Sequence, residues 1–157
     1  MNADAPRSIP LTAARASLLT VWLAGGGLLF VILTLQSIFG RYGAELQSVW
    51  SWFLPNIVPN ISLMIGVLGA SALTSQRGRE KTVRRSFFNV ARALSLFYLL
   101  LLLLTILLEP LTGTPALDLY ASSNYWLSPL QGITSGAIGI LFVAQQSQGR
   151  APEGRDP

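Results

Sequence analysis

Uncharged polar residues recur along one side of the second apolar stretch of this sequence. At about 100° per residue of an α-helix, four of them fall within an arc of about 60°. They are Asn56, Asn60, Ser71 and Thr74. In a homo-oligomer such side chains line a water-filled pore, whereas within one subunit they form hydrogen bonds between helices, at about 0.6–2 kcal/mol each. The sequence leaves both interpretations open.

Small residues form a second pattern, on the same stretch and on the last one. Because lipid tails provide no hydrophobic drive for association, small residues favour it by letting helix backbones approach closely. We therefore predict that the second helix packs on the fourth and that the first and third helices are the outer, lipid-facing pair. The predicted packing residues are Gly66, Gly69, Ala70, Gly132, Gly136 and Gly139.

Basic residues cluster in the segment 77–85, which holds five of the 11 Lys and Arg residues. Such a cluster binds anionic lipid headgroups, at about 1 kcal/mol per basic residue, docks a cytoplasmic partner, or simply fixes orientation. Arg92, in the third apolar stretch, is expected to extend its side chain back to the headgroups. The candidate lipid or partner contacts are Arg77, Arg79, Lys81, Arg84, Arg85 and Arg92. The net charge of +4 comes largely from this loop, so it does not indicate nucleic-acid binding.

The sequence lacks the residues for most enzymatic and metal chemistry. It has no His and no Cys, which excludes imidazole and thiolate metal sites and thiol chemistry. The single lysine, Lys81, lies in a loop, so a Ser–Lys dyad has no partner inside an apolar stretch. No carboxylate lies inside a predicted span for proton-coupled exchange. We therefore predict a non-enzymatic protein without a cofactor or a metal.

Long apolar stretches supply the elements that position these residues. Residues 16–40, 46–76 and 119–149 carry no charge, and 86–108 contains only Arg92. Since a membrane-crossing helix needs about 20 apolar residues, we predict an all-α, polytopic membrane protein with four transmembrane helices. Pro55 and Pro59 predict a short surface segment and a kink before the second crossing. The predicted parts are a cytoplasmic tail 1–14, a transmembrane domain 15–146 and a cytoplasmic tail 147–157. Within the domain, the predicted spans are at about 16–39, 55–75, 86–108 and 128–146, and the basic loop is 76–85.

The distribution of Lys and Arg predicts the orientation of these spans. Besides the loop 76–85, basic residues precede the first span, at Arg7 and Arg15, and follow the last one, at Arg150 and Arg155. The two other connections are poor in positive charge. Because basic loops stay in the cytoplasm, we predict a multi-pass protein of the plasma (cytoplasmic) membrane with both termini cytoplasmic.

An internal similarity appears in the sequence at a period of about 73. Residues 65–68 then align with 138–141, and Gly40 aligns with Gly113. This favours two helical hairpins related by a tandem repeat, as in the parallel repeats of some transporters. The alternative is that apolar spans resemble each other by composition.

Two functions from different classes are consistent with these patterns. The first is a non-enzymatic integral membrane module that assembles with itself or anchors a membrane or cytoplasmic partner subunit in the lipid bilayer. The alternative is a homo-oligomeric channel or pore-forming effector lined by the polar stripe of Asn56, Asn60, Ser71 and Thr74. A small facilitator built on the tandem repeat is a third hypothesis. We expect no nucleic-acid partner.

Overall fold

The computed structural model of the protein describes residues 8–73 and 82–143, and these residues form four α-helices. They are α1 (Leu11–Ile38), α2 (Leu46–Leu73), α3 (Arg85–Thr112) and α4 (Ala116–Val143). Each has 28 residues. At 1.5 Å per residue a helix of this size is about 42 Å long, longer than the hydrocarbon core of about 30 Å. Three segments of the described chain are long and apolar enough to cross a membrane: Leu11–Ile38, Gly43–Ser71 and Arg85–Thr112. The prediction of an all-α membrane fold is confirmed at this level.

The helices form a ring in the order α1, α2, α4, α3. The predicted packing of the second helix on the fourth is confirmed. The first and third helices also pack on each other, and every helix has two neighbours, so α1 and α3 are not a separate outer pair. The reason is that each helix contributes large side chains to one shared core: Trp22, Met64, Tyr98 and Leu127 are all buried.

The second helix is continuous through both of its prolines. It begins at Leu46, so the predicted surface segment is the first part of α2 itself. Pro59 has no N–H to bond to the carbonyl of Pro55. The Nε2 of Gln131, on α4, donates to that carbonyl at 2.9 Å. A tertiary hydrogen bond therefore satisfies a group that the proline leaves unpaired. The fourth helix likewise begins earlier than predicted, at Ala116, and contains Pro129.

Two short strands join the starts of α1 and α3. Strand β1 (Ser8–Pro10) pairs in antiparallel fashion with β2 (Thr82–Arg84), with Ile9 opposite Val83. Part of the predicted tail 1–14 is therefore a strand followed by the first turn of a helix. The sequence does not show this, because each strand is very short and its partner is separated from it by two whole helices. We call this end of the bundle the strand end.

The opposite end, the turn end, contains the connections that follow α1 and α3. Gly40 has a φ of +72° and Gly113 a φ of +65°. Both are in the left-handed conformation that glycine adopts without strain and that commonly ends a helix. These are the two glycines that the internal similarity aligns.

Candidate functional site

Asn56 is buried and links three helices. The hydroxyl of Tyr98, on α3, donates to Asn56 Oδ1 at 2.7 Å, and Asn56 Nδ2 donates to the Trp52 carbonyl at 2.7 Å. The Tyr98 ring stacks on Trp22 of α1, with the ring centroids 5.8 Å apart. Since α2 and α3 are not neighbours in the ring, the Tyr98–Asn56 bond crosses the centre of the bundle.

Asn60 lies one turn further along α2 and is also buried, with 2% of its surface exposed. Its Oδ1 accepts a hydrogen bond of 2.7 Å from Ser135 Oγ on α4. Its Nδ2 and the hydroxyl of the fully buried Thr134 have no partner in the described part of the chain. Asn60 therefore forms the second hydrogen-bonded contact of the polar stripe between helices of one subunit.

The other two members of the polar stripe do not join this arrangement. Ser71 is exposed, and its Oγ donates to the Leu68 carbonyl of its own helix at 2.8 Å. Thr74 lies outside the described residues. The four residues thus do not form one outward-facing surface in the described structure, and the channel lining stays a prediction.

A groove with a volume of about 460 Å³ lies between α2 and α4, near the turn end. Its wall includes the ring of Trp52, which stacks on Tyr120 with centroids 4.4 Å apart. Trp52 Nε1 also donates to Ser123 Oγ at 3.1 Å. The groove is lined by Ser48, Ser51, Trp52, Pro55, Asn56, Leu117, Tyr120, Ala121, Asn124, Ser128 and Gln131. None of these residues is charged.

Much of the hydrogen-bonding capacity of this groove is unused within the described part of the chain. Ser51 Oγ donates to its own helix at Gln47, and Gln131 uses its amide group as a donor to Pro55. In those bonds both side chains act as donors, so Ser51 Oγ and Gln131 Oε1 can still accept a hydrogen bond. The side chains of Ser48, Asn124 and Ser128 form no hydrogen bond with the described residues. An occupant would thus meet both donors and acceptors.

The predicted packing residues lie outside the contacts between helices of the chain. Gly66, Gly69, Gly132 and Gly136 are exposed and Gly139 is half-buried, and a Cβ added at any of the five would meet nothing within 4 Å. Ala70 is exposed as well. We call these six residues the small-residue face. Although α2 does pack on α4, these residues do not mediate that contact.

The small-residue face continues the groove along the outer side of α2 and α4. At about 100° per residue, Gly66 and Gly69 lie within about 40° of Pro55, a lining residue on α2. By the same measure, Gly132 and Gly139 lie within about 40° of Ser128 on α4. One side of the bundle thus combines uncharged polar residues near the turn end with small residues further toward the strand end.

Close approach of helices depends instead on two glycines of α1. A Cβ on Gly25 would lie 2.8 Å from Leu99 Cδ1, and one on Gly26 would lie 3.2 Å from Ile57 Cγ2. These contacts bring α1 close to α3 and α2. Sequence spacing singled out the glycines of α2 and α4, because it does not show which side of an apolar helix faces its neighbours.

Arg15 is a buried residue whose role the sequence does not show. Its Nε donates to the Leu141 carbonyl at 2.9 Å and its Nη2 to the Phe142 carbonyl at 2.8 Å. Its guanidinium also lies 5.5 Å from the centroid of the Phe142 ring. Arg15 therefore joins the start of α1 to the end of α4.

The candidate lipid contacts are in part exposed and in part not described. Arg84, Arg85 and Arg92 are exposed. Arg77, Arg79 and Lys81 lie outside the described residues. Contact with anionic lipid or a partner stays a prediction.

An ion pair between Arg41 and Glu109 lies at the turn end. Arg41 Nε lies 3.1 Å from Glu109 Oε2, and Arg41 Nη2 lies 3.3 Å from Oε1. Hydrogen bonding to this carboxylate, and then its charge, raise the pKa of Arg41. Nearby, Tyr42 donates to Gln36 Oε1, and its hydroxyl lies 3.1 Å from that of Tyr120. Sequence analysis missed the pair, although both charges flank ends of predicted spans.

The described residues contain no group of three or more Asp or Glu side chains arranged to hold a metal ion. Comparisons with protein-family models, curated proteins and solved structures gave no match to this chain. The function therefore rests on the geometry of the described helices.

Proposed function

We propose that this protein is a non-enzymatic integral membrane module that assembles with a second copy of itself, or anchors a partner subunit, through the small-residue face. The observation that carries the proposal is that the glycines of this face make no close contact with another helix in the described part of the chain. A Cβ added at any of five glycines on two adjacent helices would have no other atom within 4 Å in the described structure. In lipid, such a surface favours contact between helices, because their backbones can approach closely there.

The exposed sides of the other two helices have a different composition. On α1, Leu28 and Phe30 are about half exposed, as are Phe97 and Leu100 on α3. Bulky apolar side chains are well solvated by lipid tails and gain little from helix association. Bulky apolar side chains are exposed on α2 and α4 as well, at Ile65, Ile133 and Ile140. Assembly through α2 and α4 is therefore supported by the five glycines among them.

The proposed module has four crossing helices, with α4 as the fourth. Its part nearest the turn end is less apolar because it carries groove residues such as Asn124, Ser128 and Gln131. Its length equals that of the other three helices, and it packs between α2 and α3. In this arrangement Asn124 and Ser128 lie at the groove, and Gln131 bonds to α2.

We further propose that the strand end faces the cytoplasm at the plasma membrane. The β1–β2 pairing and the contact of Arg15 with α4 bring the starts of α1 and α3 and the end of α4 together. Arg84 and Arg85 belong to the same end. At the turn end of the described chain, the positive charge of Arg41 is paired with Glu109. Because the positive-inside rule counts Lys and Arg near the ends of the spans, Arg84 and Arg85 support a cytoplasmic strand end.

Two hairpins related by a tandem repeat would give this arrangement. Buried positions of α1 recur in α3 at the offset that the sequence suggests, and several of α2 recur in α4 one position further on. The pairs in α1 and α3 are Leu18 with Ala91, Trp22 with Ser95, Leu29 with Leu102 and Leu33 with Ile106; those in α2 and α4 are Phe53 with Leu127, Asn60 with Thr134 and Met64 with Ile138. Similar burial supports the repeat hypothesis for α1 and α3, whereas in α2 and α4 the offset of 73 pairs the exposed Ile65 with the buried Ile138.

Site-specific crosslinking in membranes tests assembly through this face. The chain has no Cys, so Ser62→Cys, an exposed position beside Gly66 and Gly69 on α2, reports contact between two copies. We expect a crosslinked dimer, and we expect Gly136→Ile in the same background to reduce it at least fivefold, because a branched side chain separates the backbones.

The matched control is Gly27→Ile, at an exposed glycine of α1 that also has nothing within 4 Å of an added Cβ. It should leave the dimer unchanged. Equal loss in both variants would show a general effect of isoleucine and contradict the assignment of the face. If no crosslinked dimer forms, co-purification of a partner that Gly136→Ile abolishes would support anchoring. Absence of both would refute the proposal.

A further inference from the structure

We propose that the groove between α2 and α4 binds an uncharged polyol, either the sugar headgroup of a neutral glycolipid or a free sugar. The inference rests on the groove near the turn end and does not depend on assembly through the small-residue face. The volume of about 460 Å³ is within the range of small-molecule sites and accommodates a group of one or two hexose rings.

The charge of the lining determines the charge of the ligand. All eleven lining residues are uncharged. The nearest ion pair at this end, between Arg41 and Glu109, is already satisfied by its own bidentate hydrogen bonds. An ionic headgroup placed in the groove would lose part of its hydration without gaining a counter-charge. A neutral ligand has no such cost.

The hydrogen-bonding groups of the lining determine the functional groups of the ligand. Asn124 offers amide donors and an acceptor, Ser48 and Ser128 offer hydroxyls, and Gln131 retains its acceptor oxygen. A ketone or an ester accepts hydrogen bonds but donates none, so it would leave the acceptors unpaired. A hydroxyl group both donates and accepts. Several hydroxyls on one small ligand therefore match this lining best.

The position of the groove is also that of a lipid headgroup. It lies along the parts of α2 and α4 nearest the turn end, next to the stacked rings of Trp52 and Tyr120. Aromatic side chains of this kind gather where a membrane meets water. A glycolipid could place its sugar here while its acyl chains extend toward the middle of the bilayer.

Native mass spectrometry of the full-length protein in neutral detergent tests the inference. The probes are monoglucosyl diacylglycerol, diacylglycerol without the sugar, phosphatidylglycerol and free glucose. We expect the glucosyl lipid to bind at least tenfold more tightly than diacylglycerol or phosphatidylglycerol. Asn124→Leu should weaken this binding about tenfold, since it removes about 1.4 kcal/mol of hydrogen bonding.

The matched control is Ser122→Leu, an exposed position of α4 outside the groove lining. Both variants should keep the helical circular dichroism and the crosslinked dimer of the parent, which separates this inference from the proposed assembly. If the protein binds the glucosyl lipid but not free glucose, the ligand is a glycolipid. If it also binds free glucose, and Asn124→Leu weakens that binding, a soluble sugar is a ligand as well. Three results would overturn the inference. They are phosphatidylglycerol binding as tight as that of the glucosyl lipid, no sugar binding by the folded protein, and an equal loss of glucosyl lipid binding in Ser122→Leu.

Discussion

Replacement of Arg15 by methionine removes the contact that holds the end of α4 against the start of α1. The guanidinium donates to two successive carbonyls, those of Leu141 and Phe142, and only 3% of the residue is exposed. Methionine has a similar length and keeps the apolar packing of the stem. The variant therefore isolates the charged hydrogen bonds, with little change in volume.

The expected magnitude follows from those two bonds. Hydrogen bonds from a charged group contribute about 1.5–3 kcal/mol each. Removing a buried charge also relieves part of its desolvation cost. We expect a net loss of about 3 kcal/mol in the free energy of unfolding for Arg15→Met. Arg15→Lys should lose about half as much, because an ammonium group keeps the charge without the two-pronged geometry.

Unfolding in detergent, followed by the fluorescence of the four tryptophans, measures this difference. Hydrogen exchange should in addition show faster opening at the end of α4 in Arg15→Met, with the turn end unchanged. Arg92→Met is the matched control, because Arg92 is exposed on α3. If the unfolding free energies of Arg15→Met and Arg92→Met agree to within about 0.5 kcal/mol, the usual range for surface substitutions, the assigned role of this contact is refuted.

Two further predictions address the inside of the bundle. Gly25→Val should lower the free energy of unfolding by about 1–3 kcal/mol, because its Cβ would lie 2.8 Å from Leu99. Gly27→Val has open space around its Cβ and should change the free energy of unfolding little. Equal effects of the two variants in a denaturation series would contradict the close approach of α1 and α3. Asn60→Leu should remove the bond to Ser135 and lower the stability by about 1 kcal/mol, without an ion leak in liposomes before or after the change. A leak in the parent protein that Asn60→Leu alters would instead support the channel hypothesis.

Sequence was sufficient for the features that depend on local composition. Apolar stretches with at most one charge, around Trp22, Met64 and Tyr98, predicted helices in lipid, because a soluble helix of such length would show a polar face. The absence of His and Cys also limited the chemistry. Asn56 and Asn60 were recognised as members of one stripe, but whether they faced a pore or a neighbouring helix depended on what surrounds them.

Features that join distant segments were decided by the tertiary structure. Arg15 meets carbonyls that lie 126 and 127 residues away, and the unpaired carbonyl of Pro55 is satisfied from α4. The sequence marks Arg15 only as a basic residue before a span and Pro55 only as an interruption. Their partners become visible when the helices are placed side by side.

Which glycines face a neighbouring helix was likewise a tertiary question. In a soluble helix the apolar side marks the interior, but a helix in lipid is apolar on its exposed side too. Spacing therefore found the small-residue face without showing that it lies outside, and it did not distinguish Gly25 and Gly26 from Gly27. Gly25 and Gly26 face the interior because Leu99 and Ile57 fill the space over them. This packing depends on all four helices together.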